Sequence, residues 1–213
     1  MFKNYPSKIP NLFLIFLGSF LLLGMGGAFG QTEIPNNISK GIKVALEHYP
    51  ELEGADIQIR LKKSIKKATM QARPTFGSIL RSKKNRTYTI WVSEHFLIEG
   101  EGFLIKDVPD AIIIGWLGHE LGHILDYKDL SNWQMLGFGF NYLFSDAHII
   151  KTERRADLYA IGHGMEDYLV KTKTYILNRP NLSPDYRKRL EKYYLSPEEI
   201  IELAEEMEAF NGI

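Results

Sequence analysis

VPDAIIIGWLGHELGHILDY, residues 108–127, is the stretch on which the fold turns. Pro109 stands where a helix starts, and the apolar residues that follow leave almost no polar side: Ile112, Ile113, Ile114, Trp116, Leu117, Leu121, Ile124 and Leu125. A helix apolar on every side belongs inside a domain, so the rest of the chain is expected to wrap around it. Into that helix the sequence sets two histidines and a carboxylate. His119 and His123 are four apart, so they share a face with Cβ atoms about 5–6 Å apart. Glu120 lies about 100° round from His119. Gly115, Gly118 and Gly122 each cost about 1 kcal/mol of helix propensity against alanine. Close approach of another backbone, or of a substrate, would account for them.

Two imidazoles and a carboxylate are costly to bury without partners. A metal ion satisfies the histidines directly and the glutamate through a water, which is the logic of H-E-x-x-H: two ligands and one general base. The alternative is a pair of core histidines beside a salt-bridged glutamate. A catalytic zinc needs a third protein donor and an open position. KTERRADLYAIGHG, residues 151–164, offers one: Glu153, Ala156, Asp157 and Ala160 recur at helical spacing on one face. Glu153 is the expected third ligand. Asp157, one turn on, is expected to accept the outer N–H of a ligand imidazole and fix its tautomer. Ala156 and Ala160 keep that face narrow. Asp129, six residues after His123, is the rival third ligand, and using it would require the chain to leave the helix near Asp126. The bland reading of 153–157 is a surface cluster of Glu, Arg, Arg and Asp.

HELGH followed by ERRAD resembles the zincin metallopeptidases, in the gluzincin branch with a glutamate third ligand. The E-x-x-A-D form is similar to that of the HtpX-like and ImmA/IrrE-like peptidases. The likeness covers about forty residues, from Gly115 to Ala160. It implies a zinc ion on His119, His123 and Glu153, with Glu120 as the base. It also implies a β-hairpin before the metal helix whose edge strand holds the substrate backbone. Glu153 follows His123 by 30 residues, a longer gap than in thermolysin-like enzymes. A further donor for the oxyanion is expected, with His163 and Tyr159 the nearest candidates past Glu153. His48, His95 and His148 are expected to be structural or surface residues.

Outward from this core the chain divides simply. Residues 1–30 carry Lys3 and Lys8, an apolar run from Leu12 to Met25, and small residues up to Gly30, the pattern of a secretory signal peptide or, if uncleaved, a signal anchor. On either reading residues 31–213 form one exported domain. That part has two fewer lysines, so 24 basic stand against 26 acidic residues, and global charge names no partner. The absence of cysteine excludes disulfides and thiolate metal sites. Residues 37–49 place Ile38, Ile42, Ala45 and Tyr49 on a helical stripe. Residues 56–62 (DIQIRLK) and 86–93 (RTYTIWVS) alternate as strands do. Residues 70–80 are the expected hairpin partner of the second, with Pro74 marking an edge and 81–86 as the turn. Helices are expected over about 109–127, 131–144, 146–163, 165–178, 184–194 and 197–210, the last opened by a capping box on Ser196 and Glu199. The expected class is therefore α+β, with a small antiparallel hairpin or sheet followed by a mainly helical, zincin-like metal-binding bundle.

Two stretches are open to more than one reading. Residues 60–86 hold ten basic residues and no acid. They form either a site for an anionic partner or the solvated face of a hairpin. Few aromatics interleave with these charges, so nothing suggests nucleic acid. Residues 131–150, aromatic and glycine-bearing, could cover the cleft or touch a membrane, and residues 11–30 are a second stretch that could associate with a membrane. The bland reading of 131–150 is a core helix. The expected function is an exported, zinc-dependent peptidase acting on a peptide or protein. The alternatives are a zinc-binding sensor or interaction module without hydrolysis, and a membrane-surface protein.

Overall fold

The computed structural model describes residues 33–65, 68–98, 101–180 and 182–211. The expected signal peptide or anchor, residues 1–30, lies outside them. The class is α+β. Helix α1 (Asn36–Glu47) is followed by β1 (Asp56–Lys62), β2 (Met70–Pro74), β3 (Thr87–Ser93) and a small hairpin of β4 (His95–Ile98) and β5 (Glu101–Leu104). Six helices come next: α2 (Asp110–Lys128), α3 (Asn132–Phe144), α4 (Asp146–Gly162), α5 (Glu166–Leu177), α6 (Pro184–Tyr193) and α7 (Pro197–Asn211). No helix among the described residues is long and apolar enough to cross a membrane.

The sheet has the order β1-β3-β2. β2 and β3 pair antiparallel, as the hairpin reading expects, with Ala72 opposite Ile90. β1 joins β3 in parallel, so the sheet as a whole is mixed. Ser93 secures the crossing chain: its hydroxyl accepts from Ile65 N at 2.8 Å and donates to Ala68 O at 3.1 Å. Paired residues share a face. Ile59, Ile90 and Ala72 therefore point into the core, while Arg60, Trp91 and Gln71 point away. β2 ends at Pro74 rather than running on to residue 80. Past it, Ser78 folds back and its hydroxyl bonds the carbonyls of Thr75 and Thr87. The residues of the basic stretch part company. Arg60, Lys62 and Arg73 gather over the Trp91 ring on the outer face. Arg86 is buried, and its guanidinium donates to Tyr127 O, Leu130 O and the Asn132 side chain. It thereby ties the end of α2 to the start of α3.

α2 is the axis of the molecule. Ile113, Leu117, Leu121 and Ile124 are fully buried among α1, α4, α5 and the inner face of the sheet. Its glycines are contact points. A Cβ on Gly115 would stand 2.4 Å from Tyr168 O of α5, and one on Gly122 would stand 2.6 Å from Ala156 O of α4. Backbone approach is thus the reason for both. Gly118 instead makes room for the Met165 side chain. α7 opens as its sequence directs: Glu199 N donates to Ser196 Oγ at 3.1 Å, and Ser196 N donates to Glu199 Oε2 at 2.8 Å.

α3 is only half enclosed, so it is more exposed than the core-helix reading of residues 131–150 expects. Its inner side packs through Met135 and Phe138, the latter edge-on to Tyr127 at 5.3 Å. Its outer side leaves Trp133, Leu136, Phe140 and Phe144 exposed, Trp133 by 84%.

Candidate metal centre

α2 turns His119 and His123 toward the same space, with ring centroids 4.7 Å apart and ring planes at 89°. α4 crosses close by because Gly122 admits Ala156, and this brings Glu153 between the two rings. Glu153 Oε2 lies 3.2 Å from His119 Nε2 and 3.5 Å from His123 Nε2. All three side chains are buried. Among the described residues they form the one group of three or more metal-donor side chains whose donor atoms lie within 4.8 Å of one another, and such a group could hold a metal ion.

Asp157, one turn on from Glu153 and fully buried, sits behind His119, with Oδ1 2.8 Å from Nδ1. A carboxylate can only accept, so His119 Nδ1 carries the proton. In a neutral imidazole that leaves Nε2 as a lone pair aimed at the Glu153 oxygen. Two acceptors facing each other at 3.2 Å in a buried site need a cation between them, and only a metal ion or a proton fits. With a proton there, charged acceptors stand at both ring nitrogens. Burial lowers the His119 pKa, but Asp157 and then Glu153 outweigh it and lift the value to about 10. Burial raises the Glu153 carboxyl, and His123 and His119 reverse this and hold it well below the usual range. For Asp157 burial is likewise overcome, first by Lys173 and then by His119.

Glu120 points to the sheet. Ala72 N donates to its Oε2 at 2.5 Å. Even-numbered residues of β2 turn their backbone groups away from β3, since Thr75 N, on the odd side, bonds Thr87 O. The metal group therefore lies beside the free edge of the sheet. Burial raises the pKa of Glu120, against the pull of His123, His119 and the Ala72 N–H.

Several contributors have no motif to announce them. Tyr142 of α3 donates its hydroxyl to Glu153 Oε1 at 2.6 Å. Lys173 of α5 donates to both Asp157 oxygens at 3.0 Å, and Leu195 N adds a bond to Oδ2 at 3.1 Å. Tyr194 lies 5.8 Å from the His119 ring, centroid to centroid. The charge of Glu153, then burial, keeps its phenol protonated well above the ordinary range. His123 Nδ1 is buried without a hydrogen-bond partner among the described residues.

Compared with protein-family models, curated proteins and solved structures, the chain matches none.

The structure places the two oxyanion candidates and the rival ligand away from the metal-donor group. His163 is not at the metal group. It caps α4, with Nδ1 2.6 Å from Tyr159 O, Nε2 3.1 Å from Glu51 Oε2, and its ring stacked on Tyr49 at 4.3 Å. Ten residues of helix carry it about 15 Å along and about 80° round from Glu153. Tyr159 fares no better, since its hydroxyl pairs with Asp126. The rival ligand Asp129 is also elsewhere: it is the exposed C-cap of α2 at φ −91°, and its carbonyl accepts from Lys83 Nζ. Asp126 remains helical and is paired with Arg155 at 2.7 Å.

Proposed function

We propose that this chain is an exported zinc-dependent metallopeptidase in which His119, His123 and Glu153 hold the ion and Glu120 is the general base. The observation that carries the reading is the convergence of two imidazole nitrogens on one carboxylate oxygen, with Asp157 fixing the tautomer behind them. Donors on a tetrahedral zinc at about 2.0–2.1 Å stand about 3.3–3.4 Å apart. The separations of 3.2 and 3.5 Å fit that spacing. The resemblance to zincin peptidases supports the same assignment, and the pattern of residues 1–30 supports export.

A bound zinc ion supplies a Lewis acid that brings the pKa of a water toward 7 and polarises a carbonyl. The remaining work falls to the chain. Glu120, one position past the first histidine, takes a proton and returns it to the leaving amine, and its raised pKa suits both halves of that exchange. Asp157 and Tyr142 keep His119 and Glu153 from rotating away. The free edge of β2 offers backbone groups to an extended peptide, the strand-addition mode of recognition.

The test is metal content and hydrolysis measured together on purified protein. Wild type is expected to hold about one zinc per chain and to cleave an unfolded casein-like substrate. Glu120→Gln should keep the metal and lose the cleavage, and His119→Ala should lose both. Wild-type protein that stays empty after exposure to zinc refutes the reading.

A second reading, a zinc-binding module without hydrolysis, draws on one observation: the Ala72 N–H already occupies the Glu120 carboxylate. Zinc-loaded protein that cleaves no peptide, with Glu120→Gln indistinguishable from wild type, would favour it.

A further inference from the structure

We propose that the outer face of α3 docks into the headgroup layer of an anionic membrane, with Arg81, Lys83 and Lys84 lying on the lipid phosphates. This stands independently of the metal-dependent reading above. Trp133, Leu136, Phe140 and Phe144 are exposed by 84, 48, 62 and 61%. At about 100° per residue they fall within about 80° of arc, so they form one stripe. Phe140 and Phe144 lie ring to ring at 4.6 Å. α3 carries no charged residue. An apolar stripe of this kind on a soluble surface marks a site of contact.

The margin of the stripe indicates which contact. The β2–β3 turn lies against the start of α3, because Asn132 Nδ2 donates to Leu80 O and Arg86 holds Leu130 and Asn132. Lys83 reaches the carbonyl of Asp129 just ahead of the helix. Leu80, exposed by 79%, extends the apolar surface. Arg81, Lys83 and Lys84 are exposed around it, in a stretch where residues 60–86 contain no acid. Asp129 is an acidic residue at that margin, and Asp56 lines the same recess as Arg81 and Lys84. An uncharged apolar helix with tryptophan at one end and a mainly cationic fringe matches the layered chemistry of a bilayer surface: acyl boundary, aromatic belt and anionic headgroups. The apolar run from Leu12 to Met25 lies about ten residues ahead of α1, so whenever it enters a bilayer the folded part is held within reach of that surface.

The experiment is tryptophan quenching by brominated phospholipid, with the full chain reconstituted into vesicles of brominated phosphatidylcholine and phosphatidylglycerol. Only protein that floats with the vesicles is measured, so the readout is the depth of Trp133 rather than attachment. Wild type should show a strongly quenched component that disappears in Trp133→Phe. Leu136→Ser with Phe140→Ser, both exposed and tolerable to the fold, should remove most of it. Lys83→Ser with Lys84→Ser should raise the phosphatidylglycerol content needed for half-maximal quenching. The proposal is overturned if Trp133 stays unquenched in vesicle-bound protein, or if quenching is unchanged in Trp133→Phe. It is also overturned if the stripe proves to be covered by a second copy, seen as a dimer in sedimentation that the Leu136→Ser, Phe140→Ser protein does not form.

Discussion

α2 and α3 are both apolar on nearly every side, yet only α2 is enclosed. α2 is covered by α1, α4, α5 and the sheet, and its buried polar groups include the two histidines of the candidate metal centre. α3 rests on the body through one side and shows the other to solvent. An all-round apolar sequence therefore says that a helix wants cover, and the surrounding elements decide whether the cover comes from its own chain. The glycines record the same difference. In α2 a Cβ at Gly115 or Gly122 would strike backbone, whereas at Gly137 and Gly139 of α3 it would meet nothing within 4 Å.

The largest effect that tests this contrast is a cavity. Leu117→Ala, fully buried in α2, should cost about 2–5 kcal/mol in urea unfolding, while Trp133→Ala in α3 should stay within about 0.5 kcal/mol. Equal costs would mean that α3 is enclosed after all. Alkali should also act through α2, in protein stripped of metal. The His119 pKa is raised in the fold to about 10. The stabilisation this gives is full below the unfolded value of about 6.5 and is lost as pH rises through about 10. Melting temperature of metal-free protein should fall over that window, and His119→Gln should flatten the slope. With zinc bound the dependence turns round, because acid below about pH 6 competes for the ligand nitrogens. Next comes Gly122→Ala, expected to cost about 1–3 kcal/mol from overpacking against Ala156. The smallest effect carries the opposite sign: Gly139→Ala should stabilise by up to about 1 kcal/mol, because the helix gains propensity at no steric cost. A loss there would show that the outer face of α3 is not open.

How much of this was legible follows from the range of each interaction. The six helices after residue 109 were readable because period, caps and prolines are local signals, and the capping box at Ser196 is one of them. His119, His123 and Glu153 were readable as a set because each lies in a spacing of three or four. β1 alternates clearly, but alternation says nothing of direction, and its parallel pairing with β3 depends on a crossing that Ser93 secures from a distance. β4 and β5 are four residues each, too short for a period to rise above noise. Tyr142, Lys173 and Leu195 reach the centre from helices and turns far along the chain, so no local pattern marks them. His163 misled because it shares a helix with Glu153 without sharing its face.

Asp157 gives the molecule an order of completion. One of its oxygens answers His119 and the other takes the N–H of Leu195, while Lys173 spans both. Three stretches made at different moments of synthesis thus meet on one carboxylate. A nascent chain can form α2 and α4 early, yet its first histidine is not fully braced until residue 195 has left the ribosome. Until then Asp157 lacks the last of its partners, and the bond that holds the His119 ring rests on a carboxylate not yet fully satisfied.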